Sequence, residues 1–333
     1  MPRISTSAHE SANHHAASNG VATLVEPKPG LKPGVRPSVP NTRQRALTPS
    51  SSRIKAAGAA LAGKNPPLAA KADRHVLYEH SVQCVEAEID FVDDTFKDLR
   101  GRRAQLIRED FCGTANTSCE WVRRRPSNRA IGVDLDTSVL EWGLKNKVGK
   151  LKPAQRKRVE LINADVLHVK TPPVDAVLAM NFSYWLFTSR DSLRGYFKSV
   201  RNALAPGGMF FLDCYGGSDA HKEMREKRPI EYPGGEFTYV WDQNRFDPIS
   251  HLMECFIHFH FPDGSKINRA FEYHWRLWSL PELRELLAEA GFARSTVYWE
   301  GTDEDTDEGD GNFEPRERGE ADLAWICYIV AER

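Results

Sequence analysis

The sequence has no pair of cysteines at Cys-x-x-Cys spacing. Its six cysteines, Cys84, Cys112, Cys119, Cys214, Cys255 and Cys327, are scattered through 333 residues. This fits a reducing, cytoplasmic setting better than a disulfide framework or a cysteine-based zinc site. No apolar run approaches the roughly 20 residues of a membrane span. An excess of either charge is also missing. The formal net charge is −1, so bulk electrostatics call for neither a polyanion nor a membrane surface as partner. His258 and His260 alternate at strand spacing, but no third ligand follows from the sequence, and no metal site is assigned.

Phe, Trp and Tyr are absent before Tyr78, and the only acids in the first 70 residues are Glu10 and Glu26. That segment is rich in Ala, Pro, Ser and Gly and carries basic residues such as Lys28, Lys32, Arg36, Arg43 and Arg45. It lacks the apolar surface needed to offset its ordering entropy. Residues 1–73 are therefore expected to form a disordered basic tail. A targeting segment or an RNA-touching arm is the alternative. Residues 74–333 are expected to form one domain.

From Tyr78 the pattern is that of a folded chain. Val85, Ile89, Val92 and Phe96 share one helical face, and Gly101 ends that helix. Apolar runs at about 104–108, 129–133, 159–162, 174–180 and 209–212 alternate with helical patterns, which predicts a doubly wound parallel sheet. Three longer strands follow, at about 237–241, 252–261 and 267–277. Pro262-Asp263-Gly264-Ser265 supplies a turn between the last two. They are read as an antiparallel insertion over about 230–277. One face should pack on the core, and the other, with Glu254, His258, His260, Glu272, His274 and Arg276, is the candidate substrate wall. The helical pattern resumes with a capping box at Ser279-Leu280-Pro281-Glu282. Two last strands, at about 296–299 and 325–330, flank an acidic segment at 303–311, read as a solvated loop or as a lid that attracts cations.

Within this pattern the strand ending Gln105-Leu106-Ile107-Arg108-Glu109-Asp110 runs into the turn Phe111-Cys112-Gly113-Thr114-Ala115, and a second strand ends at Gly132-Val133-Asp134. This is the layout of a nucleotide-binding crossover, in which a small turn lets backbone approach the ligand and the second acid bonds a ribose. Phe111 and Ala115 stand where the first and last of three glycines would cradle a diphosphate. The turn therefore suits a nucleoside that carries an amino acid instead, and argues against a nicotinamide dinucleotide.

The span from about 78 to 333 resembles the class I S-adenosylmethionine-dependent methyltransferases. Glu109 to Ala115 is similar to that family's first motif and Gly132-Val133-Asp134 to its second. Asn163-Ala164-Asp165-Val166 is similar to its third, and Leu204-Ala205-Pro206-Gly207-Gly208 to the turn before strand five. The small-molecule N-methyltransferases of the glycine N-methyltransferase type look nearest. They share the Cys-Gly-Thr turn followed by Ser118, Asn181-Phe182 after strand four, and strands inserted after strand five. The resemblance implies an α/β fold: a Rossmann-like seven-stranded sheet with an antiparallel insertion after strand five.

It also implies S-adenosylmethionine as cofactor and a small-molecule acceptor, with an amine preferred. Glu109 would hold the turn amides or the ligand's ammonium, and Cys112, Gly113 and Thr114 would form the turn around the methionine part. Asp134 would accept both ribose hydroxyls, beside Leu135. Asp165 would bond the adenine amino group, with the Val166 amide facing a ring nitrogen. Tyr78 would either cover the sulfonium end or anchor the first helix. Asn181 and Tyr184 would line the pocket or close the strand. Catalytic candidates are Tyr184, Tyr215, His258 and His274. Asn181-Phe182-Ser183-Tyr184 lacks both prolines of the Asn-Pro-Pro-Tyr motif, which argues against a flipped base. The alternatives kept are an RNA or protein methyltransferase that uses the basic tail as an arm, and a non-catalytic binding module.

Overall fold

The computed structural model describes residues 66–303 and 309–333. The expected tail therefore lies outside the described residues up to position 65. The chain is already folded from residue 66, ahead of the expected boundary at 74. A single-turn helix α1 (Leu68–Lys71) leads to Asp73, which caps α2 (Arg74–Val82) by accepting from the His75 amide. α3 (Val85–Arg100) follows. Val85, Ile89, Val92 and Phe96 are all buried on one face, and Gly101 ends the helix in a left-handed conformation with φ 67°.

The α/β alternation is as expected. It runs β1 (Leu106–Asp110), α4 (Asn116–Arg124), β2 (Arg129–Asp134), α5 (Thr137–Asn146), α6 (Pro153–Arg156), β3 (Val159–Asn163), β4 (Val174–Ala179), α7 (Arg190–Ala203) and β5 (Leu204–Gly216). The four-stranded insertion comprises β6 (Met224–Tyr232), β7 (Gly235–Phe246), β8 (Leu252–His260) and β9 (Lys266–Arg276). The chain closes with α8 (Leu280–Glu289), β10 (Arg294–Thr302), β11 (Gly309–Pro315) and β12 (Trp325–Glu332).

The main sheet has the order β11-β10-β12-β5-β4-β1-β2-β3. Neighbours from β3 to β5 run parallel, and β12, β10 and β11 are added antiparallel. The expected seven strands are all present. The eighth, β11, arises from the segment read as an acidic loop. Phe313 gives that edge strand an apolar anchor, its ring tilted against Tyr328 with centroids 4.3 Å apart. Residues 304–308 of the same segment lie outside the described residues.

Helices cover both faces, so the central strands are apolar on both sides. Val177, Phe210 and Leu212 pack with α7 and α8, whereas Ala176, Leu178 and Phe211 pack with α3 and α4. The capping box at α8 is formed: Ser279 Oγ accepts from the Glu282 amide, and Glu282 Oε2 accepts from the Ser279 amide at 3.1 Å. Where sequence order reverses, between β1 and β4, the carboxyl ends of the strands part and leave the crevice in which open α/β sheets take their ligands.

The inserted sheet has one strand more than expected and starts earlier, at Met224 rather than about 230. β6 alternates exposed Arg, Lys and Glu with partly covered residues and contains Pro229, which weakens a strand pattern in sequence but is tolerated at a sheet edge. Its neighbour β7 pairs with it from Gly235 to Gln243.

Candidate active site

The turn after β1 takes the backbone of a glycine triplet without its glycines. Phe111, Gly113 and Ala115 all have positive φ, at 56°, 50° and 59°. A bulky residue in this region is strained. Phe111 is held there by ring contacts with Tyr196 at 5.6 Å and Phe187 at 6.2 Å. The turn is fixed from below by the amide of Cys112, which donates to the Val133 carbonyl at 3.0 Å. Gly132 lets this happen, because a Cβ there would lie 2.8 Å from Cys112 Sγ. Gly143 on α5 does the same above, since its Cβ would meet the Thr114 carbonyl at 2.5 Å.

Asp134, at the carboxyl end of β2, takes the Gly113 amide on Oδ2 at 2.8 Å and the Asp136 amide on Oδ1 at 2.9 Å. Each oxygen keeps a lone pair for a further donor. Leu135 beside it is 69% exposed, an apolar side chain left in water at the mouth of the crevice. Asp136 caps α5 through the Ser138 and Val139 amides. Asp165 caps its own turn, with Oδ1 accepting from the Leu167 amide at 2.9 Å, and the Val166 side chain is buried against the sheet.

Glu109 is not on the turn amides. Its Oε2 accepts from the amide and the hydroxyl of Ser118, at 2.8 and 2.5 Å, and so ties β1 to the first turns of α4. Burial pushes its carboxyl up to about 7. Cys112 is buried, and burial raises its thiol as well, so it is no thiolate nucleophile.

A strap crosses the crevice. Glu79 on α2 accepts from the Thr114 hydroxyl at 2.9 Å and pairs with Lys147. Asp73 accepts from the Trp142 indole at 2.6 Å. The other face of the same helix meets the insertion, where Tyr78 lies 4.8 Å from Phe271 and Arg228 donates to the Ser81 carbonyl.

Under this strap, between the carboxyl ends of β4 and β5 and the inserted sheet, lies a cavity of about 860 Å3. This is within the range of small-molecule sites. Aromatic rings form its walls, including Tyr78, Phe182, Tyr215, Trp241, Tyr273 and Trp275. Carboxyls are set among them: Glu88 from α3, Asp213 from β5, and Glu226 from β6. Burial raises all three, Glu88 to about 8 and the other two to about 7. Asp213 has a further task. Asn181 and Phe182 are consecutive left-handed residues, with φ 58° and 56°. Their amides donate to the two oxygens of Asp213, at 2.6 and 2.9 Å.

The structure brings Tyr78, Asn181 and Tyr215 into this cavity. The Tyr215 hydroxyl reaches Gln243 Oε1 at 3.3 Å. It does not bring Tyr184 there. That ring is fully buried, and its hydroxyl donates to the Asp213 carbonyl at 2.6 Å. The substrate wall is a clearer correction. His258 and His274 line the outer face of the insertion, not the cavity. His258 is sandwiched between Asp242, 3.2 Å from its Nε2, and the Arg269 amide at its Nδ1, while His274 is exposed beside Glu272. Strand alternation separates the two faces correctly, but it is the aromatic one that faces the cavity. Among the described residues, no group of three metal-ligating side chains converges.

Sequence patterning alone does not single out Glu88, Asp213 or the aromatic wall. Glu88 had a signal, since it lies on the apolar stripe of α3 three residues after Val85. Asp213 had one too, as an acid that directly follows the apolar run from Met209 to Leu212.

The model of a family described as a methyltransferase domain matches residues 110–208. No curated protein sequence matches the chain. Solved structures match over most of their length. An amino pentose methyltransferase from Micromonospora echinaspora aligns with a TM-score of 0.57 at 16% identity, over 81% of this chain and 99% of that one. A sugar N-methyltransferase from Streptoalloteichus sp. aligns with a TM-score of 0.56 at 16% identity, over 85% and 99%. An S-adenosylmethionine-dependent methyltransferase from Clostridium acetobutylicum aligns with a TM-score of 0.55 at 16% identity, over 78% and 96%. These likenesses establish a common fold.

Proposed function

We propose that this chain is a class I methyltransferase and that it moves the methyl group of S-adenosylmethionine to a small-molecule amine. The residues of the crevice fit that cofactor. Asp134 has an unused lone pair on each oxygen for the two ribose hydroxyls, and exposed Leu135 offers an apolar face to the base. Asp165 and the Val166 amide would hold the adenine edge, and Gly113 and Thr114 would border the methionine part. The cofactor supplies an electrophilic methyl carbon already activated by the sulfonium.

The enzyme's own task is alignment, which can contribute about 7–11 kcal/mol towards the barrier. Glu79 on the strap closes the crevice over the turn, and Tyr78 on the other face of the same helix closes the cavity beside it. Asn181 and Phe182, fixed by Asp213, shape the edge where crevice and cavity meet.

The single observation that carries the amine reading is the acidic, aromatic cavity beside the crevice. Rings attract a cation through their faces, and buried carboxyls accept its N–H groups. A neutral hydroxyl acceptor would gain little from this lining. Two of the similar structures, an amino pentose methyltransferase and a sugar N-methyltransferase, support the same direction. The free thiols of the chain suit a cytoplasmic setting. No described helix is long and apolar enough to cross a membrane.

Incubation with methyl-labelled S-adenosylmethionine and a panel of amines, alcohols and thiols should place label on nitrogen. Label on oxygen or sulfur alone would refute the amine reading. Calorimetry should detect S-adenosylmethionine and no binding of NAD. Asp134→Ala should weaken cofactor binding by about 1.5–3 kcal/mol, the worth of hydrogen bonds to a charged group. Unchanged affinity would remove the ribose from Asp134.

A further inference from the structure

An alkylamine reaches the cavity at neutral pH as an ammonium ion, and its nitrogen cannot attack carbon until a proton leaves. One side chain in the cavity is built to receive that ion. Glu88 is only 5% exposed, lines the cavity, and its Oε2 has no hydrogen-bond partner among the described residues. A backbone hydrogen bond from Cys84 holds the carboxyl at the start of α3. A buried carboxylate oxygen left without a donor is costly, and natural structures leave few of them.

We propose that Glu88 binds the acceptor's ammonium group and takes its proton, which makes the site selective for primary and secondary amines. This rests on the amine reading above and names the group that enforces it.

The other acids that line the cavity are exposed, already engaged or remote from such a role: Asp90, Asp94, Asp98 and Glu314 are exposed, and Glu300 is only half-buried. Asp213 already takes the Asn181 and Phe182 amides, one on each oxygen, whereas Glu88 Oε2 has no donor at all among the described residues. Asp219 is paired with Lys222 at 2.6 Å. Glu226 is only half-buried, on the edge strand of the insertion. Glu109 is engaged by Ser118 and does not line the cavity.

The groups that face Glu88 from the packed elements are Asp213 on β5, Glu109 on β1, Tyr78 on α2 and its own neighbour Glu86. The two that weigh most on it, Asp213 and Glu109, are acidic. Together with burial they hold the empty site protonated near neutrality, at about 8. An arriving cation reverses that balance.

Protons and electrons balance through the cycle. The ammonium binds the Glu88 carboxylate, and one proton goes to water, because the empty carboxyl was protonated. Within the complex a second proton passes from nitrogen to Oε2, leaving a neutral amine. Its lone pair forms the nitrogen–carbon bond as the carbon–sulfur bond breaks, and that bond's electrons stay on sulfur as a neutral thioether. The methylated ammonium departs with its charge and leaves Glu88 protonated for the next cycle.

The test is calorimetry on the full chain loaded with S-adenosylhomocysteine. The probes are benzylamine and D-glucosamine, each against its hydroxyl counterpart, benzyl alcohol and D-glucose. At least one amine should bind tenfold or more tightly than its counterpart. Two buffers of different ionisation enthalpy should reveal proton release on binding. Glu88→Gln should abolish both the preference and the proton release, Glu88→Asp should retain part of each, and S-adenosylhomocysteine affinity should stay within twofold in both. Equal binding of amine and hydroxyl probes, absence of amine binding, or a preference that survives in Glu88→Gln would overturn the assignment. Turnover with labelled donor separates this failure from the larger one. Methylated amines with an unchanged pH–rate profile in Glu88→Gln would sink only the role of Glu88. Methylation confined to hydroxyls would sink the amine reading itself.

Discussion

Replacing Asp213 with alanine should destabilise the domain by about 2–4 kcal/mol, because two amides lose a shared acceptor at once. The Asn181 and Phe182 amides donate to its two oxygens, and both residues sit in left-handed backbone that side chains disfavour. The carboxyl offsets that strain. Without it, the turn after β4 should relax and move the Phe182 ring, which packs 4.9 Å from Tyr215 in the cavity wall. For a domain of this size the melting temperature should fall by roughly 5–15 °C, at about 2–4 °C per kcal/mol. Asp213→Asn should recover about half of the loss, since its amide oxygen serves one of the two donors. A melting temperature within about 1 °C of wild type in Asp213→Ala would show that the turn is held by packing alone.

Much of the fold was legible because its signals are local. The α3 stripe from Val85 to Phe96 and the capping box at Ser279 are decided within one or two turns of chain. The alternation of apolar strands with helices then leaves few topologies. What was not legible depended on long-range pairing. β6 contains Pro229 and charged residues on alternate positions, and only its place beside β7 makes it a strand. β11 reads as an acidic loop until Phe313 is seen against Tyr328.

The same division holds for the site. The crevice motifs from Glu109 to Asp134 are contiguous, and their glycine-like backbone survives even where Phe111 and Ala115 replace glycine. The cavity wall is not legible in the same way, because period-two patterning separates the faces of β8 and β9 without saying which one meets the sheet. Ionisable residues on one face suggest the substrate side. In the structure His258 finds its partner Asp242 there, and the aromatic face turns inward. Glu88 and Asp213 lie more than 100 positions apart, and only the packing of α3 beside β5 brings their charges together.

The unliganded protein should also lose stability as pH rises from about 6 to 9. Glu88, Glu109 and Asp213 are raised from ordinary values of 4.5, 4.5 and 3.8 to about 8, 7 and 7, each mainly by burial. A carboxyl raised in the folded state binds more protons there than in the unfolded chain. Its contribution is therefore fully present below about pH 4 and is lost as pH climbs through the folded value. Other groups set the opposite limb. Asp175 and Glu332 are held low by hydrogen bonds and the neighbouring Arg102 and Arg100, and they favour folding only above their unfolded values. His75 is lowered by burial, so its protonation opposes the fold as pH falls below about 6.5. The sum is a stability maximum in the mildly acidic range with a long alkaline decline.

Moving a carboxyl's titration by one pH unit between the unfolded and folded chain is worth about 1.4 kcal/mol. Because these acids repel one another, their protons leave in shared steps rather than independently. A net loss of a few kcal/mol and a fall in melting temperature on the order of 10 °C are expected between pH 6 and 9. Glu88→Gln should flatten the alkaline decline, since it removes the highest of the titrations and relieves Asp213 and Glu109 of a like charge. Melting curves of both proteins across this range make the comparison. A wild-type curve that is level from pH 6 to 9, or a decline as steep in Glu88→Gln, would mean that the three acids are solvated enough to ionise without cost to the fold.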